Sequence, residues 1–258
     1  MLSLAISPCP NDTFIFASMI DRYRATLDDV EALNVRAERG EFDLTKISVA
    51  AYPRIRGEYA LLRAGGAAGF GVGPLVVARV PGAITGRVAI PGDRTTAARL
   101  LRLLGRFDTV PMRFDEIEGA VLRGDVAAGV LIHEGRFTYA ARGLVSVADL
   151  GEVWEQQMRC PLPLGAIAIR RTLGADVARR VDEEIRASLR AAWDDPHAVR
   201  AFVRAHAQDM DPDVIQRHID LYVNDYTLDL DSEAVRRLIN LDDPDGHDPA
   251  HPDVFAYA

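Results

Sequence analysis

The histidine at position 133 stands where the sequence best suits chemistry. Residues 128–132 form an uncharged apolar run, which predicts a strand buried on both faces. His133 and Glu134 follow at its carboxyl end, and Gly135 then breaks the run. Ligands of open α/β sheets bind just beyond the carboxyl ends of strands, so the pattern indicates a functional role for His133. A histidine that only ends the strand with a hydrogen bond fits this stretch equally well.

A second group of polar residues surrounds the only lysine of the sequence. A short strand is predicted over residues 42–44 and a helix over residues 49–56. Between them lie Thr45, Lys46, Ile47 and Ser48. One ammonium, two hydroxyls and the backbone amides of a helix start suit a carboxylate ligand. The simpler interpretation is a capped helix with a solvated lysine.

Two adjacent threonines follow a third predicted strand, residues 87–90. Apolar residues at helical spacing begin at Ala97, so Thr95 and Thr96 fall in the first turn of a predicted helix. The amides and the positive dipole end of a helix start favour an anion, and hydroxyls there add hydrogen bonds. Ordinary N-capping needs only one threonine, so the pair favours a ligand.

The first predicted strand, residues 2–6, leads into a loop of turn-forming residues at positions 7–12. A helix is predicted over residues 13–20, with Asn11 or Asp12 as its N-cap. A strand, a polar loop and a helix form a unit whose loop faces a ligand crevice. Asn11 is therefore a candidate substrate contact, although a plain tight turn explains the loop as well.

The order of the predicted elements favours two α/β lobes. The chain crosses between them twice, near Gly82 and near Ala168. We therefore expect the plan of a type II periplasmic binding protein, an α/β fold with a ligand cleft between its lobes. Lobe one would comprise residues 1–82 and 169–258, and lobe two would comprise residues 83–168.

The composition is that of an ordinary globular protein of 258 residues, 48% hydrophobic and 26% charged. The net charge of −8 argues against nucleic acid or an anionic membrane as a partner, but not against a small carboxylate. The two cysteines, Cys9 and Cys160, imply no disulfide framework. The N-terminal residues lack the features of a signal peptide and no apolar run could span a membrane, so a cytoplasmic location is expected.

Other histidines are expected to have no part in chemistry. His206 and His218 fall in amphipathic helical patterns that predict core packing, and we expect them to be structural or surface groups. The acidic tail contains four residues of metal-ligating type: His247, Asp248, His251 and Asp253. A Pro-rich tail offers no regular element that would fix their geometry, so no metal site is expected.

Several motifs, in order over nearly the whole chain, resemble one enzyme family, the 1,4-dihydroxy-6-naphthoate synthases of the futalosine route to menaquinone. The motifs are SPCPNDTF at residues 7–14, TKIS at 45–48 with Ala51 and Tyr52, GVGPLV at 71–76, TTA at 95–97, IHE at 132–134 with RFTY at 136–139, LPLGAI at 162–167 and YVN at 222–224. Taken together they are specific, and the family shares the binding-protein fold expected above.

The resemblance implies a lyase that converts cyclic dehypoxanthine futalosine to 1,4-dihydroxy-6-naphthoate without a cofactor. It implies that His133 is the proton acceptor. It also implies that Lys46, Ile47 and Ser48 bind the substrate, together with Thr95 and Thr96. The substrate carries an aromatic carboxylate, which agrees with the polar groups found above.

Two alternatives remain at this point. A solute-binding protein without catalysis would have the same fold, and so would chorismate dehydratase, a second enzyme of menaquinone biosynthesis. The chain departs from the resembling family in two places. The segment between Met19 and Val30 is short, so a strand there would be lost or reshaped, and the tail after Asp242 is unusually acidic.

Overall fold

The computed structural model describes residues 1–207, 211–241 and 253–257. The chain forms one unit from Met1–Gly69 with Pro163–Ala258, and a second from Phe70–Leu162. The crossings expected near Gly82 and Ala168 lie further along the chain than these boundaries.

The N-terminal part of the first unit alternates strands and helices. They are β1 Ser3–Ile6, α1 Pro10–Phe16, β2 Arg24–Leu27, α2 Val30–Glu38, β3 Leu44–Ser48, α3 Tyr52–Ile55, β4 Tyr59–Leu61 and β5 Ala67–Gly69. Pro10 begins α1, where its missing N–H costs no helical hydrogen bond. Asp29 caps α2 by accepting hydrogen bonds from the amides of Glu31 and Ala32.

The second unit contains the next group of elements. They are β6 Leu75–Ala78, β7 Val88–Ile90, α4 Thr96–Leu101, β8 Thr109–Pro111, α5 Phe114–Arg123, β9 Ala128–Leu131, α6 Gly135–Thr138, β10 Val145–Asp149 and α7 Leu150–Met158. Gly124 ends α5 in the left-handed conformation, which glycine adopts without steric cost. Asp149 caps α7 by accepting hydrogen bonds from the amides of Gly151 and Glu152.

The chain then returns to the first unit and is mainly helical. Its elements are β11 Leu162–Arg170, α8 Ala175–Asp194, α9 Pro196–His206, α10 Pro212–Tyr222, α11 Asp225–Leu228 and α12 Ser232–Ile239. Aspartates cap the start of α9, α10 and α12 through their side chains: Asp195, Asp211 and Asp231. No helix in the described ranges combines the length and the hydropathy that a membrane crossing requires.

The sheet of the first unit places β3 at its centre. Its strand order is β2-β1-β3-β11-β4, with β5 beside β11. β1 runs parallel to β2 and β3, whereas β11 is antiparallel to β3 and β4. All residues of β3 are buried, and β1 and β11 pair with its two edges. Apolar side chains of α1, α8 and α10 pack with those of the sheet, among them Phe14, Ile185 and Ile219.

The sheet of the second unit places β9 at its centre. Its strand order is β10-β6-β9-β7-β8, in which β9 is parallel to β7 and antiparallel to β6. Every residue of β9 is buried, which confirms the strand expected there. The core contains Ile117 and Val121 of α5 together with Leu131.

Two expectations near candidate residues are wrong. The first helix begins at Pro10 with Cys9 as its N-cap, so Asn11 and Asp12 lie inside α1 and not at its cap. Lys46 and its neighbours belong to β3 itself, because pairing with β11 extends the strand to Ser48, whereas the pairs with β1 end at Thr45.

One further segment differs from the expectation. The short segment after Met19 retains a strand, β2, which pairs with β1. His247, Asp248 and His251 lie outside the described residues.

Candidate active site

In the first unit, the ammonium of Lys46 forms a buried ion pair. Its Nζ lies 2.6 Å from Oδ1 of Asp12, and the two side chains are 6% and 0% exposed. Nζ also donates a hydrogen bond to the backbone carbonyl of Gly65 at 3.1 Å. An ammonium has three N–H donors, and within the described residues these contacts account for two of them. One donor therefore remains for a ligand oxygen.

The topology explains how Lys46 reaches Asp12. β1 and β3 are parallel neighbours, with Ala5 opposite Thr45. Lys46 therefore lies level with the carboxyl end of β1, from which the chain passes into α1 and Asp12. Successive side chains of a strand point to opposite faces, so Lys46 and Ser48 share a face and Ile47 points to the other.

Asp12 accepts hydrogen bonds on both carboxylate oxygens. Oδ2 accepts from the amide and the hydroxyl of Ser7, at 3.2 and 2.7 Å. Oδ1 accepts from Nδ2 of Asn11 at 3.0 Å in addition to Lys46. A buried charge is tolerated when it is paired and hydrogen-bonded, and Asp12 meets both conditions.

Asn11 joins this group to a histidine far away in the sequence. Its Oδ1 lies 3.0 Å from Nε2 of His218, a residue of α10 that is 1% exposed. The structure thus assigns both ends of the Asn11 amide to hydrogen bonds within the protein. The sequence predicted His218 to be a structural or surface group and did not indicate this contact. Contact between Asn11 and the substrate stays a prediction.

Ser48 and Ile47 have different surroundings. The Ser48 amide donates to Oδ1 of Asn34 at 2.8 Å, and Nδ2 of Asn34 donates to the Ser48 hydroxyl at 3.1 Å. Ile47 is fully buried among the apolar core residues. Asn34 therefore fixes the end of β3 next to Ser48, while the side chain of Ile47 serves packing.

In the second unit, Thr95 and Thr96 begin α4. Oγ1 of Thr95 accepts a hydrogen bond from the amide of Ala98 at 3.1 Å and donates one to the carbonyl of Gly92 at 2.8 Å. Thr96 is the first helical residue, and both threonines are buried. The hydroxyl of Thr95 is therefore occupied with capping. This leaves the amides at the helix start as the groups there that suit a carboxylate.

His133 lies just beyond β9 in an unusual backbone conformation. Its φ is 56°, in the left-handed region that non-glycine residues seldom adopt. Such conformations cost about 1–3 kcal/mol and cluster at active sites. The half-buried imidazole packs against Phe114, with ring centroids 4.9 Å apart and ring planes at 72°. The ring therefore has a defined position at the end of the strand.

The short helix α6 holds the turn that contains His133. The Arg136 amide donates to the His133 carbonyl at 3.4 Å. The Arg136 guanidinium donates to the carbonyl of Gly73 and, at 2.9 Å, to Oδ2 of Asp149. The Arg136–Asp149 pair is only partly exposed, at 17% and 14%. These contacts tie α6 to the segments around β6 and β10.

The threonines and His133 lie at the same edge of their sheet. Thr95 and Thr96 follow β7, and His133 follows its parallel neighbour β9. The carboxyl ends of parallel strands meet at one sheet edge, and α4 packs against β9. The described residues contain no cluster of three His, Cys, Asp or Glu side chains suited to a metal ion.

The fold is that of the periplasmic-binding-protein-like α/β proteins. The periplasmic aliphatic sulphonate binding protein of Escherichia coli superposes with a TM-score of 0.65 at 11% identity, covering 98% of this chain and 90% of that one. An alkanesulfonate-binding protein of Xanthomonas axonopodis also has a TM-score of 0.65, at 12% identity, covering 86% of this chain and 83% of that one. At these identities the likeness confirms the expected fold.

Sequence similarity then identifies the family. The family described as menaquinone biosynthesis matches residues 2–241, and the chain belongs to it. A protein of Streptomyces coelicolor named 1,4-dihydroxy-6-naphthoate synthase is 46% identical, over 99% of this chain and 98% of its own. A Thermus thermophilus protein of the same name is 47% identical, over 93% of this chain and 92% of the Thermus protein. A crystal structure from Archaeoglobus fulgidus has a TM-score of 0.90 at 35% identity, covering 95% of this chain and 97% of that one.

Proposed function

We propose that this protein is a 1,4-dihydroxy-6-naphthoate synthase, a lyase that acts on cyclic dehypoxanthine futalosine. The observation that carries the proposal is the 46% identity to a synthase of that name over 99% of the chain. His133 has a left-handed backbone conformation at the end of the central strand of its sheet. This agrees with the proposal, because such strained positions are typical of active sites.

We assign the proton acceptor to His133. A neutral imidazole can accept a proton near neutral pH, and the contact with Phe114 gives the ring a defined orientation. Removal of a proton from the substrate carbon starts the elimination: the electron pair of the C–H bond moves into the new ring system as the sugar-derived fragment leaves. The aromatic ring of the product provides the driving force.

We assign substrate binding to the polar groups of both sheets. In the first unit, Lys46 has an N–H donor for a carboxylate oxygen and Ser48 lies on the same strand face. In the second unit, the helix start at Thr95 and Thr96 offers amide hydrogen bonds. Ile47 and Asn11 remain weaker candidates, since core packing and internal hydrogen bonds occupy their side chains.

The test is turnover of cyclic dehypoxanthine futalosine by the purified protein, with formation of 1,4-dihydroxy-6-naphthoate followed by chromatography. We expect His133→Ala to reduce kcat on the order of 100-fold or more, the usual effect of removing a general base. His133→Asn is the matched variant, because asparagine tolerates the left-handed backbone and cannot act as the base. Wild-type kcat in either variant would refute the assignment.

Two other results would contradict the proposed reaction itself. Dehydration of chorismate by the wild-type protein would indicate the second enzyme of the pathway. Binding of the futalosine derivative without any product would indicate a solute-binding protein. The cytoplasmic location and the small carboxylate partner stay predictions, which cell fractionation and ligand titration would test.

A further inference from the structure

We propose that His218 is a positioning residue for substrate binding, acting on Lys46 through Asn11 and Asp12. The inference rests on the proposed function, in which Lys46 binds the substrate carboxylate. Nothing in the sequence pattern assigned His218 such a role. It lies on α10, more than two hundred positions beyond Asn11 in the chain, and is connected to Lys46 by buried hydrogen bonds.

The connection is continuous and shielded from solvent. Nε2 of His218 lies 3.0 Å from Oδ1 of Asn11. Nδ2 of Asn11 lies 3.0 Å from Oδ1 of Asp12, and the same oxygen lies 2.6 Å from Nζ of Lys46. All four side chains are buried. Hydrogen bonds in such an environment are stronger than in water, because little solvent competes for them.

The chemistry of the groups fixes the direction of each hydrogen bond. An ionised carboxylate only accepts, so Asn11 must turn its NH₂ group toward Asp12. The carbonyl oxygen of Asn11 then faces His218, and this oxygen also only accepts. Nε2 of His218 must therefore carry the proton and donate. The Nε2–H of His218 thereby stabilises the orientation of the Asn11 amide that Asp12 requires.

The other contact of Lys46 does not depend on His218. Nζ donates to the carbonyl of Gly65, and the amide of Gly65 donates a hydrogen bond to the carbonyl of Thr227 at 2.8 Å. The neighbouring amide of Ala64 donates to Asp182 at 2.9 Å. Lys46 is therefore held between one contact fixed by the backbone and one set by the Asn11–Asp12 side chains. Loss of the His218 donor would move only the second.

The expected effect is on substrate binding and not on the chemical step. Lys46 does not belong to the reacting atoms, so misplacing its ammonium removes binding that the ground state and the transition state share. Such a change raises KM and leaves kcat almost unchanged. The loss of one hydrogen bond in the network corresponds to about a tenfold effect.

The experiment compares His218→Leu with His218→Gln. Leucine keeps apolar volume without a donor, whereas the amide nitrogen of glutamine can still donate to Asn11. We expect about a tenfold higher KM for His218→Leu, with kcat within about twofold of wild type, and recovery of most of this loss in His218→Gln. The control is His206→Leu on α9, because the His206 ring contacts the Phe202 carbonyl of its own helix and lies outside the network.

A double-mutant cycle tests whether His218 acts through Lys46. Lys46→Gln keeps a donor for Asp12 but removes the charge. In the Lys46→Gln protein, we expect His218→Leu to leave KM unchanged, because the ammonium that His218 positions is already absent. Calorimetric unfolding temperatures of each variant identify changes that merely destabilise the fold.

The outcomes separate this inference from the proposed function. If the wild-type protein makes no naphthoate product, the proposed function fails. If the wild-type protein is active and folded His218→Leu has the wild-type KM, the positioning role is wrong. It is also wrong if His218→Gln fails to recover the loss, or if the effect of His218→Leu persists undiminished with Lys46→Gln.

Discussion

The surroundings of Lys46 and of His133 show two ways of holding a functional side chain. Lys46 lies inside the central strand of the first unit, and its charge is neutralised by a carboxylate that is 0% exposed. His133 lies beyond the end of the central strand of the second unit, half-buried, in a left-handed turn that a ring contact and α6 support. One group is fixed by buried electrostatics and the other by backbone geometry.

The difference follows from what each group has to do. A binding cation must keep its charge in a buried strand, which requires a buried counter-charge with all its hydrogen bonds made. A general base must be able to gain and lose charge, so a fully buried ionic partner would restrict it. We therefore expect changes near Lys46 to affect stability first, and changes near His133 to affect catalysis first.

The largest effect is expected from removing Asp12. Asp12→Ala leaves the Lys46 ammonium buried without its partner, and we expect the free energy of unfolding to fall by about 3–5 kcal/mol. Urea unfolding measures this change. The control is Asp115→Ala, because the Arg113–Asp115 pair is exposed and should contribute less than about 1 kcal/mol. If the free energy of unfolding fell equally in Asp12→Ala and Asp115→Ala, the buried ion pair of Lys46 would contribute no more to stability than an exposed pair, which would contradict the comparison.

A smaller loss is expected from Gly129→Ala in β9. A Cβ there would stand 2.4 Å from Cγ2 of Ile117 and 2.9 Å from Cγ2 of Val121, so α5 must move. Overpacking of this kind costs about 1–3 kcal/mol, and we expect a lower kcat because β9 leads to His133. Calorimetry and kinetics measure the two changes. Gly57→Ala is the control, since its Cβ would meet nothing within 4 Å. A Gly129→Ala protein with the stability and activity of wild type would contradict the packing argument.

Phe114→Leu tests the ring contact of the base. An edge-to-face aromatic contact contributes about 0.5–1.5 kcal/mol, so we expect kcat to fall about 2- to 10-fold at unchanged KM. Phe114→Tyr keeps the ring and should retain most of the activity. Steady-state kinetics of the three proteins decides the question, and a pure KM effect would show that Phe114 does not orient the imidazole.

The smallest effect concerns Tyr257, near the C-terminal end of the first unit. Burial, and then the hydrogen bond to Asp182, raise the pKa of Tyr257 to about 12. This folded-state pKa lies above the unfolded value of about 10, so the hydrogen bond stabilises the fold fully below pH 10 and progressively less as the pH rises through 12.

Tyr257→Phe should therefore be less stable than wild type by about 1 kcal/mol at pH 8. The gap in unfolding temperature should close between pH 10 and pH 12, because phenylalanine has no phenol to ionise. Thermal unfolding of both proteins across this range provides the measurement. A difference in unfolding temperature that increased with pH would contradict the raised pKa of Tyr257.

The sequence predicts the surroundings of His133 better than those of Lys46, and the reason is local. An uninterrupted apolar run followed by polar residues identifies β9 and its end without knowledge of distant residues. β3 contains a lysine and a serine, so its pattern resembles a loop. It forms a strand because β1 and β11 pair with it and because Asp12, which precedes it by 34 positions, neutralises the lysine.

The parts of the candidate site that the sequence did not predict depend on long-range pairs. The bond between His218 and Asn11 joins α10 to α1, and no spacing rule connects them. The role of Asp12 was obscured because aspartate also suits a helix cap, and Pro10 displaced that cap to Cys9. A lysine in a buried strand implies a carboxylate partner, since lysine is almost never buried without one.

The pairing of β11 with β3 has a consequence for synthesis on the ribosome. The segment Phe70–Leu162 is continuous and can complete its sheet as soon as it has emerged. The strand that contains Lys46 has both its edges covered only after residues 165–169 have emerged. At about 5–20 residues per second, this delay lasts roughly ten seconds, during which one edge of β3 is available to chaperones or to a neighbouring nascent chain.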